Sequence, residues 1–296
     1  MEWLTETYHI GHISGWQTML ENYFFVASLA FLGFEFARYA WLKRLSWQLA
    51  GDALTNFITL AAFIAITLLI GAAYVAVFYL VYESLSLWQL PINGATIAAA
   101  IVLADLAYYW EHRFTHRVGI AWSSHTVHHS SPHFNLSVAY RFGPLDWLWP
   151  LPFYLPLAMF GFHPFLILFA EVLVQLYQTI LHTEAIRKLP KPIERIMNTP
   201  SHHRVHHGAN PEYLDKNYGG IFIIWDRLFG TFAEERAPVK YGLVTPIDSI
   251  NPFTVFFHGF IRLARKVISS GKLMTGLNYF ARPPDWSPEA GEQSVR

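Results

Sequence analysis

The chain has 296 residues, zero net formal charge and no cysteine, with 53% apolar and only 14% charged residues. A soluble domain carries about a quarter of its residues charged, so this composition points to a membrane. Without thiols there are no disulfides, iron–sulfur clusters or thiolate-ligated haem, and no basic, aromatic-interleaved tract offers itself to nucleic acid.

The first twenty residues are acidic and polar and lack the basic start and short apolar core of a secretory signal. About 20 apolar residues span a bilayer. Residues 24–42 are the first such run, interrupted by Glu35 and Arg38. It is preceded by Glu2, Glu6 and Glu21 and followed by Lys43 and Arg44, which turns its end to the cytoplasm under the positive-inside rule. Residues 54–82 carry no charge, so they are a tilted span or more than one element, leading out to Glu83. Residues 92–110 return inward, broken only by Asp105.

Residues 145–181 are long enough for two legs. Pro150, Pro152 and Pro156 fall in the first leg, and Gly161, Phe162, His163 and Pro164 give a turn signal, which predicts a hairpin or re-entrant pair. Residues 217–232 are too short and too charged to span and suit a packed or interfacial element. Residues 253–268 repeat apolar positions at helical spacing, an amphipathic helix on the membrane surface. The tail after Arg282 reads as disordered. The predicted fold is all-α: an integral membrane bundle of about four to five spans or re-entrant helices under a cytoplasmic cap. Its segments are 1–91 (N-terminal spans), 92–235 (metal-binding domain) and 236–296 (amphipathic helix and tail).

The cap is defined by histidines. His112 and His116 stand in HRFTH, His125, His128 and His129 in HTVHH, and His203, His206 and His207 in HRVHH. Residues at i, i+3 and i+4 share a helix face, so each box is expected to aim its imidazoles at one point. One ion takes roughly four to six ligands, which makes eight histidines too many for one metal and suited to two. His182, in LHTE on the same predicted side, is expected to join them. His202 is a candidate ligand or supporting residue. Asp105 lies two turns before His112 and is a candidate to hold a ligand's second ring nitrogen, or else a satisfied polar residue of the bundle. His133 and His163 read as structural or lid residues, and His9, His12 and His258 carry no assigned role.

The donor set restricts the chemistry. The Glu and Glu-x-x-His pattern of carboxylate-bridged di-iron bundles is missing, and a single zinc hydrolase site leaves five histidines unexplained. Two irons held by nitrogen at the end of a membrane bundle suit oxygen activation on a lipid that enters from the bilayer. A metal transporter or sensor is the competing class. Transport needs ionisable residues along the spans, and only Glu35, Arg38, Asp105 and Glu171 lie there.

The three boxes, in this order, resemble the H-x3-H, H-x2-HH, H-x2-HH signature of the fatty acid hydroxylase and sterol desaturase superfamily of membrane di-iron enzymes. Finer stretches, among them DLAYYWEHRFTH, HTVHHSSPHFNLSVAYR and NTPSHHRVHHGANPEYLDKNYGGIFIIWDRLFGTF, look most like its alkylglycerol monooxygenase group. The resemblance implies an O2-dependent monooxygenase with two iron ions. It would hydroxylate the carbon next to the ether oxygen of an alkylglycerol, giving fatty aldehyde and glycerol, with tetrahydrobiopterin as reductant. It makes the eight box histidines iron ligands, with His182 a further one. It also places Asn135, Ser137, Asp215, Lys216, Asn217 and Tyr218 beside the site as substrate or lid residues, although DKNYGG equally suits a turn with backbone duties. Where animal members of the group carry an acid after the second histidine of the first box, this chain has Arg117. The reductant therefore stays open between a pterin and an electron-donor protein, and the substrate between an alkylglycerol and a sterol, fatty acid or aminolipid that is hydroxylated or desaturated.

Overall fold

The computed structural model describes residues 2–288, with side chains from residue 15 onward. These residues form eleven α-helices, one short 3-10 turn and two isolated β-bridges, with no strand among them. Two long helices come first: α1 (Glu2–Trp41) and α2 (Trp47–Leu85). Both are long and apolar enough to cross a membrane, and the α2 window has a mean hydropathy of 2.5. Ser46 starts α2 by accepting a hydrogen bond from the Leu49 N–H, which satisfies one of the orphan donors of a first turn.

Next come α3 (Gly94–Arg117) and α4 (Gly119–His129), separated by Val118 alone. Asn93 opens α3 with a capping box shared with Thr96. The predicted hairpin is α5 (Leu151–Met159) and α6 (Pro164–Thr179). At about 1.5 Å per residue even the 16-residue α6 is roughly 24 Å long, short of a full bilayer core. Gly161 turns between them at φ +91°, and an added Cβ would clash with the Trp88 carbonyl oxygen. The Leu87 and Leu90 N–H groups donate to the carbonyls of Met159 and Gly161, pinning the end of α2 to this turn.

An apolar core lies among α2, α3, α5 and α6. On α3, the buried Ala100, Ala104 and Ala107 form a stripe of small residues that lets α6 approach with Leu166, Ile167, Ala170 and Val174. Further along are α7 (Lys191–Ile196), α8 (Pro200–His206), α9 (Ile224–Phe229), α10 (Pro252–Ser269) and α11 (Leu273–Ala281). The amphipathic pattern of residues 253–268 is indeed helical, yet α10 sets its apolar face on α4: Val255, Phe256, Gly259 and Leu263 are buried. The start of the tail is also packed. The Gly119 N–H donates to the Arg282 carbonyl, Lys266 Nζ to the Pro284 carbonyl, and the Trp286 ring lies against Tyr279. Residues beyond 288 and the side chains of His9 and His12 lie outside the described part.

Candidate metal centre

The histidine boxes sit on three helix ends: the first on the last turns of α3, the second on the last turns of α4, the third on α8 with His207 as its cap. His182 follows the end of α6. Nine imidazoles gather into two groups whose ligand nitrogens all lie within 4.8 Å of one another: His112, His116, His125, His129 and His206 in one, His128, His182, His203 and His207 in the other. Contrary to the expectation that each box aims at one point, the second and third boxes each divide between the two groups. In each, the i and i+4 pair stays together while the remaining member crosses to the other group. Adjacent positions on a helix diverge by about 100°, so His128 and His129 straddle the boundary between the groups. The groups abut, with the His129 and His207 rings stacked at 4.4 Å.

The donor geometry fits metal ions. Two nitrogens about 2.1 Å from one ion and at right angles stand roughly 3.0 Å apart. Here Nε2 of His112 lies 3.2 Å from Nε2 of His125, and Nε2 of His206 lies 3.1 Å from that of His129. In the other group, Nε2 of His182 is 3.2 Å from His128 and 2.9 Å from His203. Four rings are held from behind through Nδ1: His112 by the Tyr218 carbonyl (3.0 Å), His206 by Lys216 (2.9 Å), His128 by Arg141 (3.2 Å) and His182 by Gln178 (3.0 Å). A carbonyl can only accept, so each of these Nδ1 atoms donates and Nε2 keeps its lone pair for the centre. Nε2 of His116 and of His207 are buried with no protein partner, as expected of nitrogens meant for an ion.

Burial keeps these groups neutral. It pushes His125, His129, His203 and His207 well below the ordinary histidine range, and neighbouring imidazoles push them further. Burial likewise brings His128 to about 3, and His206 to about 4 against the pull of the Lys216 carbonyl. At neutral pH they present lone pairs instead of protons.

The residues expected beside the boxes fall into distinct places. The DKNYGG segment acts through its backbone: the Lys216 and Tyr218 carbonyls hold His206 and His112, with Asp215 and Asn217 in left-handed conformation (φ 57° and 59°). The Asn217 side chain locks the turn to the His202 carbonyl and to both backbone groups of Ala233. Asp215 accepts from Arg117 and stands 3.8 Å from Nδ1 of His116. An acid thus reaches the flank of His116 from the loop, although the chain has Arg117 after that histidine. Asp105 touches no ligand ring. Its carboxylate accepts from the Ile221 and Phe222 N–H groups and Trp225 Nε1, fixing the segment after Tyr218. His202 lies outside both groups, 3.0 Å from Glu194. Asn135 caps the 3-10 turn by accepting from the Ser137 N–H, and Asn56 of α2 donates to the Ser137 hydroxyl. His163 caps α6, and His258 sits between α10 and Thr126 of α4.

One support was invisible in the sequence pattern. Arg141, 1% exposed, donates to Asp52 (2.8 Å), Asn56 (2.7 Å), the Val127 carbonyl (2.9 Å) and Ser130. It closes the end of α4 while its own carbonyl holds His128. Asp226 does similar work opposite, accepting from the Tyr218 and Gly219 N–H groups. A cavity of about 470 Å3 reaches the centre between α4, α10 and α11, touching His116, His129, His206 and His207.

Residues 97–231, which contain the nine histidines of the two groups, match the fatty acid hydroxylase family. Among curated proteins the chain is 40% identical to human (Homo sapiens) alkylglycerol monooxygenase over 209 residues, 70% of this chain and 46% of that protein. It is 28% identical to human lathosterol oxidase over 152 residues, 49% of each. It is also 28% identical to an ornithine lipid hydroxylase of Rhizobium tropici over 143 residues, 48% of this chain and 43% of that protein. The chain spans about half the length of the alkylglycerol monooxygenases that it matches. No solved structure matches it.

Proposed function

We propose that this chain is a membrane-embedded monooxygenase that uses two irons and dioxygen to hydroxylate a lipid, most readily the carbon next to the ether oxygen of an alkylglycerol. The observation that carries this reading is the pair of abutting, buried imidazole groups, five and four strong. Nitrogen donors of this kind suit iron among the first-row metals. Bound there, two irons would supply the reductive activation of dioxygen needed to break a strong C–H bond.

The chain's own residues do the remainder. The Tyr218, Lys216, Arg141 and Gln178 carbonyls hold four imidazoles in register. The cavity wall presents Trp122, Leu214, Leu243, Val244 and Leu263, which exclude water and accept an alkyl chain. Overall, O2, two electrons and two protons turn the C–H into C–OH and release water. The product is a hemiacetal that collapses to a fatty aldehyde and glycerol as the hydroxyl proton passes to the departing ether oxygen. The electrons come from a tetrahydropterin or from an electron-donor protein. Asp215, beside His116 on the cavity wall, is placed to accept from a pterin N–H. The basic residues after α1 and around α7 support a cytoplasmic location for the centre under the positive-inside rule.

The test is product analysis of iron-loaded protein in lipid vesicles with an alkylglycerol, oxygen and tetrahydrobiopterin. Aldehyde that depends on the pterin supports the whole reading. No aldehyde from protein holding two irons rejects this substrate or this reductant and turns attention to sterols, fatty acids or aminolipids. A reporter fused after Phe232 tests the orientation, and an external location overturns it.

A further inference from the structure

The cavity that reaches the histidines is not uniformly apolar. Its floor is imidazole and its walls are apolar, but α10 contributes Arg262 and Lys266 to the lining. These two residues are one helical turn apart and share a face. Both have donors to spare. Arg262 makes one long bond, 3.4 Å, to the Thr245 carbonyl, and Lys266 makes one to the Pro284 carbonyl. Among the described residues neither has a carboxylate within ion-pair distance. Of the two acids on the lining, Asp215 is held by Arg117, and Asp285 lies near enough to Lys266 only to act through its field.

We infer that this rim receives the phosphate-type anionic head group of the lipid substrate, so that the enzyme selects an ether lipid bearing a phosphate over its neutral counterpart. The inference rests on the proposed lipid hydroxylation and deepens it. An amphiphile lying in the cavity keeps its alkyl part against Trp122 and Leu263, its reacting carbon toward His116, His129, His206 and His207, and its charge among the spare donors of Arg262 and Lys266. Charge-assisted hydrogen bonds to a phosphate are stronger than neutral ones, and a guanidinium presents two parallel donors to it. A glycerol phosphate separates its phosphate from an ether carbon by only a few bonds, which suits a cavity of about 470 Å3.

The experiment compares binding of a 1-alkylglycerol and of the same lipid carrying a 3-phosphate. The full-length, metal-loaded protein in detergent micelles is titrated by tryptophan fluorescence, with turnover followed in parallel. Wild type is expected to bind the phosphorylated lipid about tenfold more tightly. The double variant Arg262→Gln, Lys266→Gln should lose that preference while its affinity for the neutral lipid stays within about twofold. Asp285→Asn should strengthen the preference, and a gain of affinity cannot come from misfolding. Equal affinity for the two lipids in wild type, or equal losses for both in the double variant, overturns the inference. Inorganic phosphate that competes at the same concentration as the phosphorylated lipid also overturns it, because the rim is then a free-anion site. If neither lipid is turned over but the phosphorylated one binds preferentially through these residues, the reaction assignment falls and the head-group site stands.

Discussion

The apolar stretch of α2 and the histidine domain pose opposite packing problems. Near its start, Asp52, Thr55, Asn56 and Thr59 are buried while Leu54 is 62% exposed. Farther along, Leu68 and Leu69 are 80% and 86% exposed, with no part of the most apolar window buried inside the protein. A helix that turns polar groups inward and bare leucine outward matches a lipid surroundings and not water. The histidine domain inverts the problem: it buries many polar groups deep in protein and satisfies them with backbone carbonyls and, on the reading above, with metal. The start of α2 joins the two regions, since its Asp52 and Asn56 hold the arginine whose carbonyl holds His128. The long apolar helix therefore buttresses the centre directly.

Removing imidazoles breaks the centre side of this comparison most severely. His206→Ala removes a nitrogen from the group of five and His182→Ala one from the group of four. Each should reduce bound iron from two equivalents toward one and lower activity by more than about 100-fold, above the range typical of outer-shell partners. Metal analysis beside product formation checks this, and full iron content in either variant defeats the assignment of that residue. Asp52→Leu attacks the junction. It strands the buried Arg141 guanidinium, which should cost about 3–5 kcal/mol in thermal unfolding. Iron content should fall with stability, because the end of α4 loses its closure. An unchanged melting curve would show that α2 does not support the centre.

On the lipid side, Leu69→Lys should cost about 3 kcal/mol of membrane insertion, read as the fraction recovered in membranes. The inserted fraction should hold iron normally, and a specific loss of iron would mean that the two regions are not separable. The smallest effect belongs to Glu194. Burial raises its carboxyl, but hydrogen bonds from His202 and the Leu189 N–H outweigh this and hold it at about 2. A folded value below the unfolded 4.5 adds stability above about pH 4.5 that is lost as pH falls toward 2. Glu194→Gln should therefore cost about 1 kcal/mol at neutral pH, discounted for partial exposure. The difference from wild type should shrink as pH falls from about 4.5 toward 2, and a gap that stays constant over that range excludes the carboxylate charge as its source.

Much of the centre was legible in the chain. Histidines spaced three and four apart advertise a shared helix face, and LHTE marked His182 by its place after an apolar hairpin. The division of the boxes between two groups was not legible. Spacing says which residues lie close on one helix, but not where neighbouring helices set the boundary between His128 and His129. Asp105 was placed two turns from His112 on the same helix, yet its partners come from residues 221–225, more than a hundred positions away. The packing of residues 282–286 against Gly119 and Lys266 likewise has no local signal.

Composition and periodicity alone determined that this chain is helical, apolar and built around a histidine-rich centre, because those properties come from residue types and their spacing along one helix. Only the tertiary structure decided which imidazoles gather into each group, that Asp52 and Arg141 support His128 from 89 residues apart, and that α10 lays two cations along the lining of the cavity. These are contacts between elements far apart in the chain. They depend on how helices pack, which no periodicity within a single helix encodes.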